Sequence, residues 1–326
     1  MIGKLPINMQ KKYILSRVGA KDEAVITGAG VGEDAAVIRI ANNLYLVTHT
    51  DPITETSSMA GRLAMQVSSN DLATKGIRPR WALVTILLPE GFGEVELDRL
   101  TADIDMAARS LGIAIVGGHT EETRGLMWPI ISVAQMGIRK GKLPISIADS
   151  RPGDDIIMIN EAGIEGTAIL AFDHPKKIES LGIEVIAAAK KYLDDISIMQ
   201  DALRAAKLGV ISMHDPTEGG VIGALVEMAI RSGYTFQIER PLVPVRKETA
   251  LICDLLEVDP LKLLGSGALI CTSRKKDTQK ILQAYGGRAA IIGTVKVGKA
   301  SAIILRGPES TEYDEPPSDE ITKLFS

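Results

Sequence analysis

Cysteine is scarce in this chain of 326 residues, and an excess of positive charge and long apolar runs are both absent from its sequence. Its two cysteines, Cys253 and Cys271, lie in apolar stretches without CxxC spacing, so we expect two reduced core residues rather than a disulfide. The net charge of −4 gives no overall basic field, which argues against binding to nucleic acid. No apolar run approaches the roughly 20 residues that span a bilayer, and the first residues lack a signal-peptide core. We therefore expect a cytoplasmic protein that binds neither nucleic acid nor membranes.

A Walker A phosphate loop is absent as well, because no glycine-rich turn is followed by Lys-Ser or Lys-Thr. Gly28, Gly30 and Gly32 resemble a dinucleotide-binding fingerprint only superficially, since the spacing is incomplete. The acidic pair Glu33-Asp34 follows them and would repel a pyrophosphate. A cation between the acids and the phosphates would reverse that repulsion, so a nucleotide site here is expected to need a metal ion.

What the chain does have is a series of short acidic motifs set among small residues. The four in the first 122 residues contain Gly30, Gly32 and Asp34; Asp51; Asn70 and Asp71; and Gly117, Gly118, His119, Thr120, Glu121 and Glu122. Carboxylates beside glycines suit a cation and the phosphates that it holds. We interpret the series as one composite site in which Asp34, Asp51 and Asp71 are candidate Mg²⁺ ligands. Each of the three could instead cap a turn or be a satisfied polar residue.

The fourth motif is expected to form a turn. Residues 113–116 read as a short strand that runs into Gly117-Gly118, which would place His119 at the end of the strand, where α/β folds bind ligands. The alternative is a tight turn with an incidental histidine.

A later motif has a similar form. A strand at 210–213 leads to Asp215, Thr217 and Gly219-Gly220, and a helix begins at 221. The glycines and the helix N-terminus offer N–H groups to an anion. The alternative is an ordinary N-cap made by Thr217 or Asp215.

Three of the four histidines, His49, His119 and His214, lie inside or beside these motifs. On an extended strand His49 and Asp51 point to the same face. Imidazole suits softer metals than Mg²⁺ does, so a mixed His/Asp transition-metal site stays open, and with it a metal-dependent hydrolase.

Strand-like and helix-like segments alternate along the chain, and a charged, turn-rich stretch near residue 145 divides it into expected domains at 1–145 and 146–326. In the first half the periodicity predicts strands at 44–50, 81–88, 113–116 and 129–138 and helices at 59–74 and 94–111. In the second half it predicts strands at 156–159, 210–213, 268–272, 290–295 and 302–305 and helices from 166, over most of 185–208 and at 221–232. The acidic stretch that starts at Tyr313 is expected to be frayed.

Taken in order, these motifs resemble the AIR synthase (PurM-like) superfamily, which includes AIR synthase, HypE-like hydrogenase maturation proteins and thiamine-monophosphate kinase. The N-terminal segments that carry the resemblance are GVGEDAAV, THTDP, SSNDLATKGIRP and GGHTEE. The C-terminal segments PGDDIIMINEAGIEGTAILA, MHDPTEGGVIGALVEMA and DPLKLLGSGALI are most similar to the HypE branch. The resemblance covers nearly the whole chain.

The resemblance implies an α+β fold of two domains: an N-terminal domain with a mixed or antiparallel sheet, which pairs in a homodimer, and a C-terminal α+β domain. It implies ATP in the cleft between them and Mg²⁺ on Asp34, Asp51 and Asp71. Asp215 and the Gly219-Gly220 turn would face the cleft from the second domain. The implied reaction transfers the γ-phosphate of ATP to an oxygen of a small substrate, and a maturation protein is a possible partner.

The chain departs from the family pattern at three places. His119 stands where the family turn carries Asp or Glu, so Glu121 or Glu122 would supply the missing oxygen, and we take all three as catalytic candidates. HypE-type proteins end in a cysteine, whereas this chain has none after Cys271. Glu218 stands where HypE tends to have arginine. The alternatives are therefore a catalytically silent nucleotide-binding scaffold dimer and a phosphotransferase similar to thiamine-monophosphate kinase.

Overall fold

The computed structural model describes residues 3–54, 56 and 59–324, and two β-sheets organise them. The strands of the first sheet are β1 (Val25–Thr27), β2 (Ala36–Ala41), β3 (Leu44–Ile53), β4 (Trp81–Leu88), β5 (Ala114–Glu122) and β6 (Ile130–Lys140). Their order across the sheet is β1-β2-β3-β6-β4-β5. Only the β4–β5 pair is parallel among the described strands of this sheet, so the mixed sheet expected from the sequence is confirmed.

After a short N-terminal helix, α1 (Ile7–Met9), two long helices cover the first sheet: α2 (Ala60–Thr74) and α3 (Glu94–Leu111). The amphipathic pattern of α3 is confirmed, because its buried apolar side chains recur at helical spacing at Leu100, Ile104, Ala108 and Leu111. Helix α2 differs, since 14 of its 15 residues are buried. It packs on β3 and β6 and also touches the second domain, which explains why polar residues in its last turns are enclosed.

The second sheet contains β7 (Asp155–Ile159), β8 (Ser212–His214), β9 (Thr235–Glu239), β10 (Leu269–Ser273), β11 (Ala289–Lys296), β12 (Ser301–Arg306) and β13 (Glu309–Tyr313). Their order is β13-β12-β9-β11-β7-β10-β8, with β9 and β12 parallel. Its helices are α4 (Ile164–Asp173), α5 (Ile183–Lys190), α6 (Met199–Leu208), α7 (Gly220–Ser232), α8 (Lys247–Leu256) and α9 (Lys275–Tyr285).

Strand β7 is buried on both faces and contributes side chains to two apolar clusters. Ile157 and Ile159 join an apolar cluster that continues into the first domain, whereas Ile156 and Met158 pack with α7. The alternation of strand side chains produces this division. The shared cluster holds the two domains against each other, which fixes the walls of the space between them.

Residues 185–208 are mostly helical, as expected, with a 3₁₀ turn at Lys191–Asp195 between α5 and α6. Two other sequence expectations are corrected. Residues 117–122 do not form a turn but continue strand β5. The acidic C-terminal segment is not frayed throughout, since Asp319 and Glu320 are buried and Glu320–Leu324 forms a 3₁₀ turn. The two cysteines are free and buried, as expected. Within the described residues no helix has the length and apolarity to cross a membrane.

Candidate cation and nucleotide site

A cavity of about 1660 Å³ lies between the two domains. The first domain contributes Asp34, His49, Asp51 and Asp71 to its wall, and the second contributes residues of α4 together with Thr217, Glu218 and Asp319. A space of this size accommodates a nucleotide together with a small substrate. Its acidic end is built from separate elements that the fold brings together.

Two triads of candidate cation ligands lie at that acidic end, where Asp34, His49, Asp51 and Asp71 line the cavity and His214 and Asp215 are buried next to Asp34. His49 and Asp51 point to the same side of β3, as their spacing predicts, and Asp71 reaches them from the last turn of α2. Asp34, in the loop before β2, lies beside His214 and Asp215 at the end of β8. In each triad the ligand atoms all lie within 4.8 Å of one another.

In the first triad both ring nitrogens of His49 lie close to oxygen atoms, but only Nδ1 makes an aligned hydrogen bond within the described residues. Its Nδ1 donates to the carbonyl oxygen of Asp34, and its Nε2 lies 2.9 Å from Asp71 Oδ2. Burial lowers the pKa of His49, but the Asp71 carboxylate, supported by Asp51 and Asp34, raises that pKa to about 10. Burial and then the Asp71 carboxylate raise the pKa of Asp51 to about 7, against the opposing charge of His49. The triad therefore holds excess negative charge, which a cation would neutralise.

The second triad is more deeply enclosed. His214 Nε2 is hydrogen-bonded to Glu227 Oε2 at 2.8 Å, and Nδ1 lies 3.0 Å from Asp34 Oδ2 and 3.9 Å from Asp215 Oδ1. Burial disfavours a charged His214, yet Asp34 and Glu227 raise its pKa well above the ordinary value. Burial favours the neutral form of Asp34, but the charge of His214 holds the Asp34 pKa well below its usual range. For Asp215, burial and the carboxylates of Asp71 and Asp34 raise the pKa well above normal.

Asp215 shows that this end of the cavity suits a cation. Its side chain is fully buried, and neither carboxylate oxygen has a hydrogen-bond partner within the described residues. A buried carboxylate without a partner is costly. Hard oxygen ligands are what Mg²⁺ prefers, and the four aspartates supply them.

Two family descriptions match the chain: the N-terminal domain of AIR synthase related proteins over residues 32–139, and their C-terminal domain over residues 151–306. The chain belongs to the AIR synthase related family. The fold class expected from the motifs is therefore confirmed, with two sheets in a mixed α+β architecture.

Curated relatives of this AIR synthase related protein include proteins of hydrogenase expression and formation. It is 30% identical over 308 residues to a putative hydrogenase expression/formation protein of Methanocaldococcus jannaschii, covering 89% of this chain and 88% of the relative. It is 32% identical over 244 residues to the carbamoyl dehydratase HypE of Azotobacter vinelandii, covering 72% of this chain and 69% of the relative. The expected similarity to HypE is confirmed.

Solved structures share the fold of this AIR synthase related protein. A HypE–HypF complex matches with a TM-score of 0.73 and 24% identity, covering 88% of this chain and 94% of the other. HypE in complex with ATP matches with a TM-score of 0.68 and 22% identity, covering 97% of this chain and 93% of the other. A ThiL complex with AMPPCP and TMP matches with a TM-score of 0.72 and 19% identity, covering 94% of this chain and 95% of the other.

The first glycine motif of this AIR synthase related protein positions the loop that carries Asp34. At Gly32, which has a φ of +70°, a Cβ would lie 2.9 Å from Glu227 Cβ, so the loop packs directly on α7. The side chain of the neighbouring Glu33 is fully buried and pairs with Lys75 at 2.9 Å and Arg231 at 2.5 Å. Gly30 lies at the same turn, where Glu33 N donates to its carbonyl oxygen. The motif therefore ties the loop to both domains, a role that sequence reasoning missed.

Asn70 joins the domains. Its Nδ2 donates to the carbonyl oxygen of Ile196 at 3.0 Å, and its Oδ1 accepts from Ile198 N at 2.9 Å. The side chain is completely buried. A direct role in nucleotide binding stays a prediction, while the observed contacts position the adjacent Asp71.

The carboxylate of Asp319, from the C-terminal segment of the same chain, binds at the N-terminal end of α7. Gly219 N donates to Asp319 Oδ2 at 2.8 Å, and the other oxygen of Asp319 accepts from Ile321 N at 2.9 Å. Thr217 and Asp319 both line the cavity. Gly219 thus binds a carboxylate of the C-terminal segment, which could not be read from the local motif because the partner lies 100 residues away.

The structure does not gather the three catalytic candidates beside the aspartates. His119 and Glu121 are exposed and pair with each other at 3.1 Å on β5. Gly117, Gly118, His119 and Thr120 border a separate hollow of about 270 Å³ beside α3. Glu122 comes nearest to the large cavity, because its Oε2 accepts from Gly91 N at 3.3 Å and Gly91 lies on the rim.

Proposed function

We propose that this protein is an ATP-dependent enzyme of the HypE-like type, which transfers the γ-phosphate of ATP to an oxygen of a small substrate. The observation that carries the proposal is the convergence of Asp34, Asp51 and Asp71 on the wall of the interdomain cavity, with the buried Asp215 beside Asp34. HypE with ATP and ThiL with a nucleotide analogue share this fold.

In the proposed complex Asp34, Asp51 and Asp71 hold the Mg²⁺ that accompanies ATP, and the ion supplies charge neutralisation of the phosphates. Among these three ligands Asp51 has the raised pKa, about 7, so a bound cation would stabilise its ionised form most. Thr217, at the N-terminal end of α7, faces the same space from the second domain. His119, Glu121 and Glu122 stay candidates for the transfer step, with Glu122 already attached to the rim.

The substrate oxygen is proposed to lie outside this chain. HypE of Azotobacter vinelandii is a carbamoyl dehydratase. Here Cys253 and Cys271 are buried in the core, and burial raises the pKa of both thiols to about 12. A buried, protonated thiol cannot carry a group into the cavity. A carboxylate or amide oxygen of a separate molecule is therefore the proposed acceptor.

The proposed setting is a cytoplasmic homodimer that works with a maturation protein. A HypE–HypF complex shares the fold, which supports a protein partner. The exposed strand β5 at the edge of the first sheet supports pairing between two copies.

Calorimetry with Mg-ATP tests the proposed function. We expect the wild type to bind, and Asp51→Ala and Asp71→Ala to lose at least tenfold in affinity because the cation loses a ligand. Asp105→Ala, on the exposed face of α3, serves as the control and should bind normally. Failure of the wild type to bind, or unchanged binding by both cavity variants, would contradict the proposal.

Phosphate release then separates turnover from binding alone. A screen of carboxylates and amides should reveal an acceptor that stimulates release. Tight Mg-ATP binding without release under any acceptor would favour the scaffold alternative, and phosphorylated product from a phosphate-ester acceptor would favour a reaction like that of thiamine-monophosphate kinase.

A further inference from the structure

The N-terminal segment reaches the second domain at the wall of the large cavity, where Lys4 is held at two points. Its backbone N donates to Glu218 Oε2 at 2.9 Å, and its Nζ donates to Glu227 Oε1 at 2.5 Å. Glu218 comes shortly before α7, and Glu227 lies within that helix. Glu218 is also one of the positions at which the chain departs from the family pattern. A residue of that kind therefore fixes the backbone of Lys4 beside the cavity.

The ammonium group of Lys4 keeps donors for a ligand. An ammonium carries three N–H donors. Within the described residues Glu227 is the one hydrogen-bond acceptor of Lys4 Nζ. The side chain is 41% exposed, and Lys4 lines the cavity together with Asp34 and Glu218. The other N–H groups of Nζ are therefore open to an acceptor in the cavity.

The position of Lys4 beside Asp34 indicates which acceptor it meets. Burial raises the pKa of Asp34, but the charge of His214 and then that of Lys4 hold the pKa below its usual range, so Lys4 lies close enough to act on this carboxylate. The proposed function assigns Asp34 to the Mg²⁺ of ATP, and such an ion bridges the β- and γ-phosphates. The ligand oxygens nearest to Lys4 are then those of the terminal phosphates.

The rest of the wall offers few fixed positive charges. Lys4 and Lys177 are its two lysines, and no arginine lines the cavity in the described part of the chain. Lys177 Nζ donates to the carbonyl oxygen of Leu324 at 2.5 Å, in the C-terminal segment. Mg²⁺ cancels only part of the charge of a triphosphate, and a lysine commonly contacts the phosphates as well. Lys4 is the lysine of this wall that lies beside a proposed Mg²⁺ ligand.

We propose that Lys4 Nζ binds the terminal phosphates of Mg-ATP, with Glu218 and Glu227 as its positioning residues. The inference rests on the proposed function and adds to it an anion-binding residue from the N-terminal segment. A lysine binds phosphate as a point charge with several donors, so a bound triphosphate and Glu227 share the same ammonium group.

Calorimetry with Mg-ATP compares variants of the full chain at position 4. Lys4→Met keeps a side chain of similar length without its charge and should weaken binding by about 10- to 100-fold, the loss of a hydrogen bond to a charged group. Lys4→Arg retains the charge and should bind more tightly than Lys4→Met. Lys11→Met, at an exposed position of the same segment, is the control and should bind like the wild type. Equal affinities of Lys4→Met and Lys11→Met would overturn the inference.

A double-mutant cycle separates a phosphate contact from a purely structural role. Glu227 also bonds to His214, so a structural role of Lys4 would act through Glu227 on the residues around Asp34. Lys4→Met would then cause no further loss in a Glu227→Gln background. We expect a further loss of about tenfold there, because glutamine still accepts from Lys4 Nζ and the phosphate contact remains to be lost. Circular dichroism checks that each variant is folded.

The outcomes distinguish the inference from the proposed function. A wild type that binds Mg-ATP, with a Lys4→Met loss that disappears in the Glu227→Gln background, would overturn the phosphate contact and leave the proposed function standing. A wild type that does not bind Mg-ATP would contradict both.

Discussion

Asp51 illustrates how a single residue can be unfavourable for the metal-free fold. Burial and the Asp71 carboxylate raise its pKa to about 7, above the ordinary value of about 3.9 in an unfolded chain. The folded state therefore binds the proton more tightly. The stability that this group contributes is fully present below pH about 4 and is lost as the pH rises through about 7.

Asp51→Asn should therefore stabilise the metal-free protein at pH 8, because asparagine resembles the protonated form. The pKa shift sets an upper limit near 4 kcal/mol, and solvent screening at this partly exposed position reduces the expected gain to about 1–2 kcal/mol. Urea unfolding at pH 8 and pH 4.5 in the presence of a chelator measures the gain, which should be much smaller at the lower pH. Asp105→Asn, in an exposed ion pair, is the control and should give no gain. A gain of equal size at both pH values would contradict the explanation.

At the scale of elements, Gly220 determines how α7 begins. Its φ is +59°, and a Cβ there would lie 2.7 Å from the carbonyl oxygens of Leu261 and Leu263. Gly220→Ala should therefore cost about 2–5 kcal/mol, the sum of left-handed backbone strain and overpacking. Gly209→Ala is the matched control, because its φ is +91° with no atom within 4 Å, and should cost only about 1–2 kcal/mol. Urea denaturation of both variants compares them, and equal losses would show that the Leu261 and Leu263 contacts do not matter.

The elements with long apolar periodicity could be predicted from the sequence, and β5 shows why others could not. Strand β4 and helix α3 have the predicted bounds, since their patterns are continuous. Gly117-Gly118 reads as a turn, but at Gly118 a Cβ would lie 1.8 Å from the Val84 carbonyl oxygen. The glycines allow two neighbouring strands to approach closely, a requirement that only the three-dimensional pairing reveals.

At the scale of the whole molecule, the types of the site residues were predictable and their grouping was not. Asp34, Asp51 and Asp71 were predicted as one site and do line one cavity. The contact between Asp34 and His214 joins residues that are 180 positions apart, and it depends on the packing of one domain on the other. Glu227 and Asp319 gave no local signal, because each acts on a partner that the fold brings near.

Association of two copies of the chain is also a property of the whole molecule. All nine residues of β5 are exposed, and this edge strand carries Ile115 and Val116, the latter 55% exposed. An exposed apolar edge strand favours pairing with another chain. If two copies associate through it, Val116→Glu should weaken the dimer at least tenfold in sedimentation velocity, because a buried charge would lack a partner. Val297→Glu, at an exposed position in the second domain, should sediment like the wild type. A wild type that is monomeric at tens of micromolar would refute pairing through β5, and a Val116→Glu protein that stays dimeric would place the interface on another surface.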